Sequence, residues 1–222
     1  MFKRGLLDAD LVIAPSRASA TFLAAEGCQR LEVIPHGCVP PEVTPPLPQD
    51  FRVGYLGQVG VDKGIVYLIQ AWGKLNWPTV LLSLAGPGTE SLGPIVGRIT
   101  NGGHFQLLGR VANTTDFYAS ISVYVQPSVC ESFGITLLEA MAHGRPVIVS
   151  EGAGASELVT EGVDGFVVPR RSPDAIAERI AWFKANPHRI WTMGQAAREK
   201  ALGYTWPLIR DRYQHVWRAQ FS

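Results

Sequence analysis

Six short, almost unbroken apolar runs recur along the chain: FRVGYLG (51–57), TVLLSLAG (79–86), FQLLG (105–109), VYVQP (123–127), PVIVS (146–150) and GFVVP (165–169). They lack the in–out alternation of a strand with one wet face, so they predict strands covered on both faces. Between them lie helical patterns at about 64–75, 89–100, 114–120, 135–143, 154–161 and 172–185. Strand and helix taking turns predicts βαβ units, and hence an α/β fold with a doubly wound parallel sheet. The tail, 188–202 and 206–220, reads as amphipathic helix with Pro207 in a first turn and Trp206, Tyr213 and Trp217 packed on a surface.

The first 38 residues form a shorter unit. DLVIA (10–14) and LEVIP (31–35) read as strands, and between them Ser16 caps a helix that runs to about Ala25 and ends at Gly27. Such a fragment is too small to bury both of its faces alone. The segment VPPEVTPPLPQD (39–50) holds five prolines. That density excludes a helix or a central strand and predicts a stiff, extended connector.

Composition excludes several classes. With 46% hydrophobic and 18% charged residues, the 222-residue chain reads as soluble and globular, with one large core or one domain plus a fragment. A net charge of +1 and scattered basic residues argue against nucleic acid as a partner. No apolar run approaches the roughly 20 residues of a membrane span, and Asp8 and Asp10 break the start too early for a signal peptide. Three cysteines, Cys28, Cys38 and Cys130, form no pairable framework, so a reducing, cytoplasmic compartment is the simpler reading. Cys130 reads as a small buried thiol. His36, His104 and His143 are not spaced like metal ligands, so neither metal nor cofactor is expected.

In a doubly wound sheet, ligands bind at the carboxyl ends of the strands. Those ends read GQVGVDKG, AGPGTE, GRVANT, PSVCESFG and SEGAGAS. Small residues there let backbone approach a ligand, and helix N-termini favour anions. The stretch ESFGITLLEAMAHGRPVIVS (131–150) adds two carboxylates, Glu131 in the loop and Glu139 inside the helix. The exposed amides of about Phe133 to Thr136 lie between them. Acceptor, anion-binding amides, acceptor is the order that sugar hydroxyls, diphosphate and ribose hydroxyls would need. A glutamate near a helix N-terminus is commonly structural, and Glu131 alone would be read so. Glu139, beside Leu137, Leu138, Ala140 and Met141, is costly to bury without a purpose.

Glu131-x7-Glu139 with these flanks resembles the signature of retaining GT-B glycosyltransferases, in particular the family 4 group related to sucrose and glycogen synthases. VGYLGQVGVDKGIVYLIQAW (53–72), LAGPG, LLGRV, YVQPS and GASELVTEGVDGFVVP follow in that family's order. ADLVIAPS with VIPHG resembles the end of its N-terminal domain, and YTWPLIRDRYQHVW its closing helix. The resemblance implies a Rossmann-like C-terminal donor-binding domain over 51–222, a linker over 39–50, and a remnant of the N-terminal acceptor domain over 1–38. It implies that Glu139 binds ribose hydroxyls, that Glu131 contacts sugar hydroxyls, and that amides around Phe133, Gly134, Ile135 and Thr136 hold the diphosphate or sugar. The phosphate loop around Gly57 carries Lys63 at the family's lysine position, while Gln58 stands where the family has arginine. The leaving group would then lean on Lys63 and the helix N-terminus. Arg110 and Val111 fall at the base-contacting turn. Glu157 is expected to tie down its own helix, and Asp164-Gly165 to be a turn.

The implied partners are a nucleotide sugar and an acceptor domain or partner chain. A homodimer is also open, and membrane association would come only through the part outside this chain. The alternative is a non-catalytic nucleotide-sugar-binding or regulatory module, which Gln58 favours. A dinucleotide oxidoreductase fits less well: GYLGQVG (54–60) has GxxGxxG rather than GxGxxG, and no acid stands at the end of the second strand.

Overall fold

The computed structural model describes residues 2–100 and 103–221. All six apolar runs form strands: β3 (Arg52–Leu56), β4 (Leu81–Ala85), β5 (Phe105–Gly109), β6 (Val123–Gln126), β7 (Val147–Ser150) and β8 (Gly165–Val168). They make one parallel sheet in the order β5-β4-β3-β6-β7-β8. The chain runs outward from β3 to β5, returns to the other side of β3 at β6, and runs outward again. The order therefore reverses between β3 and β6, and a crevice opens there at the carboxyl ends.

Both faces of the sheet are covered. Val53, Tyr55, Leu82, Leu84, Val123, Val125 and Ile148 pack against Ile65, Leu68, Ile69 and Trp72 of α3 (Ile65–Leu75) and Ile176, Ile180 and Phe183 of α7 (Pro173–Ala185). On the opposite face Leu56, Tyr124, Val147 and Val149 meet α5 (Thr114–Ala119), α6 (Ile135–Ala142) and α8 (Pro187–Leu202) through Phe117, Tyr118, Leu137, Leu138, Met141, Ala197 and Ala201. Residues 53, 55 and 123, 125 face one way and 56 and 124 the other, as the two-residue period of a strand requires. Side chains at helix entries fix the ends: Asn113 Oδ1 accepts from the Thr115 amide at 2.9 Å, and Ser172 Oγ from the Ala175 amide at 3.4 Å.

Two helical expectations are corrected. Residues 89–100 are a 3₁₀ turn, Thr89–Leu92, followed by a separate α4, Gly93–Ile99. Pro94, in the first turn of α4, has no amide to carry the ladder backward and so starts a helix instead. Residues 154–161 form only a 3₁₀ turn, Gly154–Leu158. The run stops where Val159 turns extended, with φ −80° and ψ 128°, and its first amides are tied to the site loop, Gly154 donating to Glu131 O at 2.9 Å and Ala155 to Phe133 O at 2.8 Å.

The short unit folds as read. Strands β1 (Val12–Ala14) and β2 (Leu31–Val33) pair in parallel as a sheet of their own, flanking α2 (Arg17–Ala25), whose cap Ser16 accepts from the Ser19 amide at 3.1 Å. A helix α1 (Phe2–Leu7) precedes them without a counterpart in the sequence reading. The proline segment is extended and tied down along its length. The fully buried Arg145 donates from Nη2 to Pro46 O at 2.9 Å and Pro45 O at 3.2 Å, and Arg198 Nη2 donates to Pro41 O at 2.7 Å. Burial lowers the Arg145 pKa to about 10. Closing helix α9 (Trp206–Phe221) lies beside β1, where Tyr213 and Trp217 border a shallow cleft with Leu11 and Ile13. Among the described residues no helix is long and apolar enough to cross a membrane.

Candidate functional site

A cleft of about 360 Å³ opens at the carboxyl ends of β3 and β6. Its walls include Gly57, Gln58 and Lys63 after β3, and Glu131, Phe133, Gly134, Ile135 and Thr136 before and within α6. The crevice of the sheet thus brings together eight of the residues singled out in the sequence. The two loops are sewn to each other, since the Val129 and Cys130 amides donate to Asp62 O at 2.7 and 3.2 Å. The Glu131 loop is also held from its other side. Its amide donates to Gly152 O at 2.9 Å, which with the Gly154 and Ala155 contacts makes a short parallel bridge to residues 152–155.

Gly134 turns the chain into α6 with φ +102°, and a Cβ there would fall 2.2 Å from Gln126 Nε2. Only glycine meets both demands. The amides of Ile135 and Thr136 then stand in a first helical turn, where no earlier carbonyl is available, next to the positive end of the helix dipole.

The electrostatics centre on one ion pair. Lys63 Nζ binds Glu131 Oε2, and Asp62 Oδ2 lies 3.6 Å from the same ammonium. Burial opposes the Lys63 charge, but the hydrogen bond and attraction to Glu131, with Asp62 adding, raise its pKa above the ordinary lysine value. Tyr55 shapes the opposite loop, its hydroxyl donating to Gln58 O at 3.0 Å.

Glu139 sits deeper along α6 and is not among the residues that wall this cleft. It is half-buried, and its Oε2 accepts from the Tyr118 hydroxyl at 2.8 Å. Burial raises its pKa and the Tyr118 hydrogen bond opposes the rise. Among the described residues no cation pairs with it, so its other oxygen keeps free acceptor capacity. Tyr118 and Tyr124, both buried, tie this region to Thr136: the Tyr124 hydroxyl stands 2.9 Å from Thr136 Oγ1 and the Tyr118 hydroxyl 3.1 Å from Thr136 O. Arg110 and Val111 follow β5 at the same end of the sheet, Arg110 exposed and Val111 packed on the second core, and neither walls the cleft.

Three minor expectations change. Cys130 is exposed, in the loop whose backbone is bonded to Asp62 O. Glu157 does not hold its own helix; it accepts from the Arg17 amide at 3.2 Å, at the start of α2 in the small unit. Asp164 is more than a turn residue. It is fully buried, accepts from the Thr160 amide at 2.8 Å and pairs with Lys200 of α8.

The sequence reading missed His36, Tyr55, Gln126, Ser128 and Ser132, which also line the cleft. Gln126 had a signal, being a polar side chain 3% exposed at the end of a buried strand. His36 had none, since it arrives from the small unit. Ser16 and Ser19 of that unit likewise reach the site loop, donating to Ser132 O at 2.7 and 2.9 Å. Among the described residues no three His, Cys, Asp or Glu side chains gather as metal ligands.

The fold, the reversal of strand order and the loop-to-helix entry at 131–136 match one family. Residues 50–186, more than half of the chain, fit the model for glycosyl transferases group 1, and the chain belongs to that family. It is 42% identical over 93 residues to a D-inositol 3-phosphate glycosyltransferase of Kribbella flavida, covering 42% of this chain and 22% of that protein. It is 32% identical over 170 residues to an uncharacterised glycosyltransferase of Methanocaldococcus jannaschii, covering 74% of this chain and 44% of the relative. The fold superimposes on Anabaena HepE, solved in complex with UDP-glucose, with a TM-score of 0.86 at 24% identity, over 95% of this chain and 64% of that one. The chain therefore spans less than half the length of these two relatives.

Proposed function

We propose that this chain is the donor-binding half of a retaining glycosyltransferase of family 4, taking a nucleoside-diphosphate sugar in the β3–β6 cleft. The observation that carries the reading is the juxtaposition of Lys63 and Glu131 with the first-turn amides of α6. In this reading the amides from Phe133 to Thr136 hold the diphosphate, Lys63 turns from Glu131 to the phosphate oxygens, and Glu131 takes hydroxyls of the sugar. Glu139, with acceptor capacity to spare, takes the ribose hydroxyls, and backbone at Arg110 and Val111 meets the base. The chain's contribution to transfer is to position the donor and stabilise the departing nucleoside diphosphate. Gln58 adds a neutral donor and no charge, so Lys63 and the helix N-terminus carry that stabilisation.

The acceptor would be held by the other half of the enzyme, so the chain alone binds donor and turns over little. Apolar side chains exposed on the small unit and α9, Phe22, Val33 and Leu208 among them, support a further domain or a second copy on that face. A non-catalytic nucleotide-sugar-binding module is the second reading, favoured by the uncharged Gln58. No metal is needed in either reading.

A thermal-shift panel of UDP, GDP, ADP, their sugar conjugates and NAD tests the site. A ligand at 100 times its Kd adds about 2.7 kcal/mol, which is a shift of roughly 5–11 °C at this chain length. One nucleotide class should stabilise the wild type by this much and Glu139→Ala by about a third of it or less. No shift with any of them would overturn the donor-site reading.

A further inference from the structure

One wall of the cleft does not come from the six-stranded sheet. His36 lines it beside Gln58, Lys63 and Glu131, and it comes from the loop after β2 in the small unit. Its ring is held in place. It stands edge-on to Phe133, with centroids 5.2 Å apart and planes at 84°, and its centroid is 6.4 Å from the Trp206 ring. The next residue, Gly37, lies so close to Trp206 that an added Cβ would fall 2.7 Å from Cδ2. The Cys38 amide then donates to Tyr204 O at 2.8 Å, fastening the loop to the start of α9.

Neither nitrogen of this positioned ring has a protein hydrogen-bond partner among the described residues. Both nitrogens of this half-exposed ring are therefore left to water or to a ligand in the cleft. Burial lowers its pKa, with Glu131 partly offsetting the drop. At neutral pH it therefore presents one N–H donor and one bare nitrogen acceptor, the pair of functions that a hydroxyl can answer. His36 shares the cleft wall with Glu131, the carboxylate assigned to sugar hydroxyls.

We propose that His36 is a sugar-binding residue of this cleft, its imidazole hydrogen-bonding a hydroxyl of the glycosyl unit that Glu131 holds. The proposal rests on the donor-site reading. It makes the small unit part of the donor site, so that sugar recognition spans the connector.

The test is calorimetric titration of the 222-residue chain with UDP and with UDP-glucose, or with GDP and GDP-mannose if the panel selects guanosine. His36→Ala should weaken the nucleotide sugar by about tenfold and the bare nucleoside diphosphate by less than about twofold. His36→Phe keeps the edge contact with Phe133 and should lose as much as the alanine variant, whereas His36→Gln should recover most of the affinity. Equal weakening of both ligands, or nucleotide-sugar binding by His36→Phe at the wild-type level, would overturn the proposal. If wild-type protein binds neither ligand nor any other nucleotide, the donor-site reading itself fails and takes this one with it.

Discussion

Glu131 with Glu139, and Glu157 with Asp164, are pairs of acids at similar spacing in two stretches of the chain, and the fold partners them differently. The second pair is absorbed by the fold. Asp164 is fully buried between the Thr160 amide and the Lys200 ammonium, and Glu157 takes a backbone amide of the small unit. In the first pair, Glu131 faces a cleft and holds a lysine that also faces it, while Glu139 has one phenolic donor and, among the described residues, no cation. Asp164 and Glu157 are committed to donors that join parts of the fold. Glu139 is half-buried with one phenolic donor and acceptor capacity left over. Charge and sequence spacing do not separate these cases; the partners do.

The contrast is broken most forcefully at Asp164. Asp164→Ala strands Lys200 and removes the cap of the Thr160 amide, and should lower stability by about 3 kcal/mol. That is a Tm drop of roughly 6–12 °C by scanning calorimetry, with nucleotide affinity measured below the transition unchanged. Glu139→Ala should do the reverse, weakening nucleotide binding by about 2 kcal/mol, roughly thirtyfold in Kd, while moving the free protein's Tm by less than about 2 °C.

A smaller effect sharpens the same point. Lys63→Met should weaken a nucleoside diphosphate by about tenfold and the corresponding nucleoside hardly at all, if the ammonium serves phosphate. The smallest effect is expected at Glu157→Gln. It keeps an acceptor for the Arg17 amide at an exposed position and should shift Tm by no more than about 1–2 °C.

The pH dependence of stability separates Glu139 from Lys63 as well. The Glu139 pKa is raised in the folded state by burial, so native protein binds more protons than unfolded protein in the carboxylate range. Its contribution is therefore favourable at low pH and is lost as pH rises through the folded pKa. Glu139→Gln should gain on the wild type as pH rises through that range, which denaturant titrations at stepped pH would record. Lys63 has the same sign at the alkaline end of the scale. Its raised pKa contributes stability below the ordinary lysine value that disappears only as pH climbs through the folded value, well into alkaline conditions.

What the sequence disclosed follows from locality. Strands covered on both faces and helices with caps leave their mark within a few residues, so β3 to β8 and the entry into α6 could be placed from FRVGYLG, VYVQP and ESFGITLLEAM. Residues 154–161 misled because the chain turns extended at Val159, in a segment anchored to the carbonyls of Glu131 and Phe133 about twenty residues distant, a partnership that no periodicity encodes. Asp164 looked like a turn because Lys200 is on another helix. His36 was invisible as a cleft residue because the connector and the whole first half of the sheet separate it from Phe133. The site was thus legible where one loop and one helix build it, and hidden where the small unit closes it.

The most direct test of the central claim is a crystal structure of the chain with the nucleoside diphosphate selected by the thermal-shift panel. The expected result puts the diphosphate on the amides of residues 133–136 with Lys63 turned towards it, and the ribose hydroxyls within hydrogen-bond distance of Glu139. A nucleotide bound elsewhere, or bound in the cleft with its ribose away from Glu139, would contradict the account.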